Sequence, residues 1–137
     1  MKTGRGREGA GETEKVAINL GHIDLGRIDV LVQEGFYTNR TDFIRTAIRN
    51  QLTTQADEVR RGIERKTLDL GLRDFAREDL ERVREAGELL HIRVVGLARF
   101  GSDVSGELVR ATIGSITILG SLQASREVKE ALRDRFV

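Results

Sequence analysis

The sequence predicts an α+β chain in which a short strand and two helices lead through a helical linker into a small βαβα repeat. Three observations predict it. Apolar residues alternate at a period of two over residues 15–20, they recur at helical spacing from 23 to about 66, and one pattern occurs twice in the last third of the chain. At 137 residues the chain is the size of one domain or of two very small ones.

Taken in order, residues 1–14 are mostly Gly, Glu, Lys and Arg with almost nothing to bury, and are expected to form a flexible arm. Val16, Ile18 and Leu20 then alternate with Lys15, Ala17 and Asn19, which describes a strand with one apolar face. Gly21 and His22 interrupt it. Ile23, Leu25, Ile28, Leu31 and Val32 give a first helix that ends at Gly35, a residue suited to the left-handed position after a helix. The stretch from Phe36 to Arg40 reads as a turn, after which Thr41 can cap a second helix carrying Phe43, Ile44, Ala47, Ile48 and Leu52 on one side. Ala56, Val59 and Ile63 extend that stripe, so the second helix is expected to reach about Lys66. Leu68, Leu70, Leu72 and Phe75 alternate around Gly71 as a short extended link, followed by a helix over about 76–88 in which Leu80, Val83 and Leu89 face one way. These elements divide the chain into an arm (1–14), a strand-helix-helix domain (15–66), a helical linker (67–88) and a C-terminal module (89–137).

The module holds the internal repeat. Residues 92–100 and 116–124 are offset by 24, with Ile92 matching Ile116 and Gly96 matching Gly120, and further along Val104 matches Val128 and Leu108 matches Leu132. Each copy reads as a strand with a central Gly and then a short helix, 102–112 and 125–136, opened by Ser102 and Ser125 as caps. Adjacent strands in such a βαβα unit would be parallel. Two turns of a β-solenoid fit the same pattern. Two strands and two short helices bury too little to stand alone, so the module is expected to complete its sheet with a second subunit.

Composition excludes several functions. Basic and acidic residues number 23 and 22, a net charge of +1, so any attraction to nucleic acid must come from a local basic surface. Without Cys there is no disulfide, thiolate metal site or cysteine nucleophile, and two His residues are too few for a His-rich metal cage. Aromatic residues make up 4%, which disfavours base stacking on single strands. There is no apolar run of membrane-spanning length and no signal-peptide pattern, so a cytoplasmic location is expected.

A six-residue amphipathic strand followed by two short helices leaves its apolar face open unless a second copy supplies a partner strand, and antiparallel pairing about a two-fold axis meets that need. Such a ribbon displays Lys15, Ala17 and Asn19 twice and fits the major groove of B-DNA. There Lys can reach guanine, Asn can bond adenine in two places and Ala can contact a thymine methyl. The stretches KVAINL, IDLGRIDVLVQEG and YTNRTDFIRTAIRNQL resemble the ribbon-helix-helix transcriptional regulators, the group of the Arc, MetJ and CopG repressors. The resemblance covers about residues 15–52 and rests most on the Asn-Arg-Thr turn leading into Phe-Ile-Arg-x-Ala-Ile-Arg; the C-terminal part carries no such resemblance. It implies that Lys15, Ala17 and Asn19 read bases, and that the amides and side chains of Arg40, Thr41 and Asp42, supported by Arg45, clamp a DNA phosphate. A helix N-terminus suits that second task through its free N–H groups and dipole, although the charge of Asp42 repels phosphate. Arg49 lies one turn beyond Arg45.

Nickel-responsive members of this family carry a His- and Cys-rich regulatory site, whereas His91 is the only His or Cys here after residue 22, so no metal and no cofactor is expected. There is no Ser-His-acid set and no phosphate-cradling Gly motif, and no enzyme is expected. The expected function is that of a homodimeric, sequence-specific regulator of transcription, acting as a repressor on double-stranded DNA, with residues 89–137 joining dimers or binding an effector. Two alternatives stand beside it. One is an antitoxin that represses its own operon and binds a toxin protein through its C-terminal part, and the other is a structural assembly protein polymerising through the repeat.

Overall fold

The computed structural model describes residues 13–137, which form two compact units, Lys15–Gly62 and Ile63–Val137, the second joined by Thr13 and Glu14. The arm expected over 1–14 otherwise lies outside the described residues.

In the first unit α1 (His22–Gln33) is followed by α2 (Arg40–Thr54) and by the beginning of α3 (Ala56–Lys66). Gly35 at φ +88° follows α1, and the amides of Gly35 and Phe36 donate back to the carbonyls of Val32 and Leu31, closing two otherwise open carbonyls at the helix end. The helix expected to run unbroken from Thr41 to Lys66 is two helices. Thr53 and Thr54 turn their hydroxyls back onto the carbonyls of Arg49 and Asn50 at 2.9 and 3.0 Å, a competing bond that bends helices, and the break falls at Gln55. Residues 15–20, expected as a strand, form none: they are exposed and join no sheet among the described residues.

The second unit is a parallel sheet with helices on one face. β1 (Asp69–Phe75), β2 (Leu90–Phe100) and β3 (Ile113–Gln123) lie side by side in chain order, and α4 (Arg77–Glu85), α5 (Gly106–Thr112) and α6 (Arg126–Leu132) follow them in turn. The unit is therefore three successive strand–helix pairs. The stretch expected as an extended link is β1, and Gly71, Gly96 and Gly120 stand opposite one another in the strand register. All three have φ between +127° and +134°, a region closed to other L residues. A Cβ on Gly96 would sit 2.3 Å from the Gly71 carbonyl oxygen, and one on Gly120 would sit 2.0 Å from that of Gly96. The strands are kinked together and pressed together at this row.

Helix starts in the repeat follow local chemistry. Ser105, not Ser102, caps α5 by accepting from the Leu108 amide at 3.1 Å, so the helix begins four residues later than the sequence pattern suggests. Ser125 caps α6 the same way through Val128, and Asp79 accepts from the Ala76 amide at the start of α4. The core lies between sheet and helices: Ile92, Val94, Ala98 and Phe100 from β2 meet Leu80, Leu108, Val109, Val128 and Leu132 from the helices. Phe75 and Phe100 stack at 5.0 Å across the strand pair. Leu80 is fully buried, and Leu80→Ala would cost about 2–5 kcal/mol for lost burial and the cavity left behind. Glu127 on α6 accepts from the Gly106 amide at 2.8 Å, placing a carboxylate at the positive end of α5.

None of α4, α5 and α6 lies on the other face of the sheet. That face carries Leu70, Leu72, Val95, Leu97 and Leu119, and a groove of about 830 Å³ runs over the glycine row, bordered by Glu14 and Ser121, whose hydroxyl donates to the Glu14 carboxylate at 2.7 Å. Among the described residues, no helix is long and apolar enough to cross a membrane.

Candidate nucleic-acid interface

The unit Lys15–Gly62 hides very little of its apolar surface. Ile28 is its only buried apolar residue, while Val16 is 77% exposed, Ile18 61% and Ile23 73%, and Ile48, Leu52 and Val59 are exposed as well. At about 25 cal/mol per Å² of apolar surface, leaving so many aliphatic side chains in water forgoes most of what normally offsets chain entropy. Val16, Ile18 and Leu20 alternate in sequence with Lys15, Ala17 and Asn19 along this exposed segment, and in a strand the two sets would fall on opposite faces.

The turn between α1 and α2 is held by the side chains of Asn39, Asp42, Tyr37 and Arg40. Asn39, not Thr41, is the cap of α2, and its side-chain oxygen accepts from the Asp42 amide at 2.8 Å. Asp42 in turn accepts from the Thr38 amide at 2.9 Å. Its carboxylate is thus engaged within the turn. Tyr37 packs edge-on against Phe43, with ring centroids 5.0 Å apart, holding the turn against the helix. Arg40 reaches back to α1: its Nε and one Nη donate to the two carboxylate oxygens of Asp29, both at 2.8 Å. This hydrogen-bonded pair, more than simple charge attraction, holds the Asp29 carboxyl below its usual range and raises Arg40.

Two of the five N–H groups of Arg40 are committed to Asp29, and three remain. Thr41 is exposed as the second residue of α2, and among the described residues the backbone N–H groups of Arg40 and Thr41 donate to nothing. Those two amides, the Thr41 hydroxyl and the positive end of a 15-residue helix converge on one spot. Arg45 and Arg49 are exposed one turn apart further along, and Asp42 is the only acid among residues 38–50, so this end of α2 is locally basic in a nearly neutral chain. Lys15, Ala17 and Asn19 occupy alternate positions of one exposed segment; Arg40, Thr41 and Asp42 lie in the first turn of α2 and Arg45 in its second. Sequence reasoning missed Asp29, which has no local signature because its partner lies 11 residues away. It also missed Asn39 as cap, although an Asn followed three residues later by an acid at a helix start was a readable sign.

The two histidines are far apart in the chain, and His91 shares a hydrogen bond of 2.8 Å with Ser115 on β3. Among the described residues no three His, Cys, Asp or Glu side chains gather in a way that could hold a metal ion.

Exposed apolar residues, a segment of alternating apolar and polar residues and a basic helix start thus lie within one unit, Lys15–Gly62. The chain belongs to the ribbon-helix-helix transcriptional regulator family, whose match extends over residues 11–129. Membership places it in a class of DNA-binding regulators of transcription, which usually dimerise and are typically non-enzymatic. The match runs well beyond the 15–52 stretch that carried the resemblance and takes in β1, β2, β3 and most of α6. The three-stranded sheet is therefore within the family's pattern. No curated protein and no solved structure matches the chain.

Proposed function

We propose that the chain is a homodimeric, sequence-specific repressor in which residues 15–20 of two copies pair antiparallel and enter the major groove. The observation that carries this reading is the exposed segment itself: its apolar side chains have no cover in the chain, and its other side chains are suited to base edges. Pairing would give each strand its missing hydrogen bonds and seal Val16, Ile18 and Leu20 over the exposed helix stripes. Lys15, Ala17 and Asn19 are then the base readers, with Asn19 and Lys15 supplying hydrogen bonds and Ala17 a methyl contact.

In the same reading the free amides of Arg40 and Thr41 receive a phosphate, the Thr41 hydroxyl adds a bond, and Arg45 supplies charge. Asp42 shapes the site as the acid that holds the turn, and Arg40 contributes through the N–H groups that Asp29 leaves free. Regulation by such a protein is expected in the cytoplasm, with no metal or cofactor required for DNA binding.

Selection from a random duplex library at fixed moderate salt, followed by sequencing, tests the proposal. Enrichment of a short palindromic or tandem motif is the expected result. Weak, salt-sensitive binding with no enriched motif would overturn it.

A further inference from the structure

The sheet of the second unit is open at both edges, and the two edges are different. β1 pairs only with β2, and beyond the bridge between Ile116 and Phe136, residues 118–122 of β3 pair with no other strand among the described residues. The tail shows what the β3 edge accepts. Phe136 lies parallel to Ile116, the Ile116 amide donates to the Arg135 carbonyl, and the Val137 amide donates to the Ile116 carbonyl at 3.1 Å. A parallel strand is already beginning there.

We infer that the free edge of β3 takes up β1 of a second copy, parallel and in the register that the chain uses internally, so that the sheets join head to tail. The register follows from the strand pairs. Leu70 stands beside Val95 and Val95 beside Leu119, while Gly71 stands beside Gly96 and Gly96 beside Gly120. Adding a second copy's β1 next to β3 continues each row by one member. The glycine row has a direction, since Gly96 and Gly120 each lean on the carbonyl of the strand before. The space that a Cβ on Gly71 would occupy is empty, and the Gly120 carbonyl points from the opposite edge. Only head-to-tail addition brings that space and that carbonyl together; pairing β1 with β1 would set two empty spaces face to face.

Exposed apolar surface supports the same arrangement independently of the glycines. Leu70 is 74% exposed and Leu119 is 49% exposed, and the inferred register makes them neighbours on the groove side of the sheet. The interface is of the heterologous kind, which yields an open or ring-closed assembly in place of a closed pair. It is separate from the DNA reading, because it uses no residue of Lys15–Gly62.

The chain has no Cys, which makes disulfide trapping in the full-length protein direct. Within one copy positions 70 and 119 are two strands apart, about 10 Å, too far for a disulfide, whereas across the inferred interface they are adjacent at about 5 Å. Leu70→Cys and Leu119→Cys proteins, each alone and mixed, are oxidised mildly and compared on non-reducing gels. The mixture is expected to give a covalent pair that neither protein gives alone, and the double variant a ladder of linked chains. Self-linkage of Leu70→Cys, or a mixture that links no more than its components, would overturn the inference. As a second measurement, Leu119→Arg at this exposed site should remove species heavier than the dimer in sedimentation while circular dichroism stays unchanged; persistence of those species would also overturn it.

Discussion

Adding one methyl group to the middle glycine of the sheet should cost far more than adding it to the first. In Gly96→Ala the new Cβ lands 2.3 Å from the Gly71 carbonyl oxygen, against about 3.4 Å for ordinary contact, so the strands must part by about 1 Å. In Gly71→Ala the methyl meets nothing within 4 Å. Both substitutions place alanine at a φ near +130°, a strain of about 1–3 kcal/mol. Only Gly96→Ala also weakens the β1–β2 hydrogen bonds flanking the row, each worth about 1 kcal/mol, for a total of roughly 3–5 kcal/mol. The chain has no Trp, and its single tyrosine is Tyr37 in the other unit, so fluorescence would not follow the sheet. Amide hydrogen exchange of β2 and β3 does, measured in dilute protein so that no second copy lies against β1. The protection of these strands should fall by roughly 3–5 kcal/mol in Gly96→Ala and by about 1–3 kcal/mol in Gly71→Ala. Equal losses in the two variants would refute the close-approach argument and leave backbone conformation as the whole reason for the glycines.

Asn39→Ala should destabilise the Lys15–Gly62 unit by about 1 kcal/mol, read as a lower urea midpoint of Tyr37 fluorescence, because the Asp42 amide loses its acceptor. In binding to a selected operator, Asn19→Ala should relax the base preference at one position, at a cost of about 1–3 kcal/mol, while Arg45→Ala should weaken all duplexes alike and reduce the salt slope by about one. A variant pattern in which both lose affinity without loss of preference would remove Asn19 from the base-reading set. Asp29, whose folded carboxyl sits below its unfolded range through its bonds to Arg40, contributes stability that is present above the unfolded pKa and is lost as pH falls through the folded pKa. Asp29→Asn should therefore flatten the acid side of the stability profile of this unit, with urea midpoints compared between pH 6 and pH 2 as the check.

Much of this protein can be read from local sequence because the signals involved are local. The helical stripes on either side of the 36–40 turn, Gly35 after α1 and Ser125 before α6 each depend on a few neighbouring residues and on backbone geometry. The repeat was readable at Gly96 and Gly120, and missed at β1, where Asp69 and Arg73 stand opposite aliphatic residues of the neighbouring strands on an edge strand. An edge tolerates charge, so β1 lost the pattern that identifies a buried strand while keeping its place in the sheet. The break at Gln55 was hidden for a related reason. The apolar stripe continues across it, and the competing hydroxyl bonds of Thr53 and Thr54 leave no mark on hydrophobic spacing.

Sequence alone determined most of the helices, the exposed apolar residues of 15–52 and the polar residues that alternate with them, since those follow from periodicity and capping chemistry. Tertiary structure decided the rest: that Asp29 holds Arg40, that Asn39 and Asp42 frame two free amides, and that three glycines align in one row across a parallel sheet. Each of these joins residues brought together only when the backbone turns or strands pair, at separations set by the fold, and no local pattern encodes which distant partner will meet which.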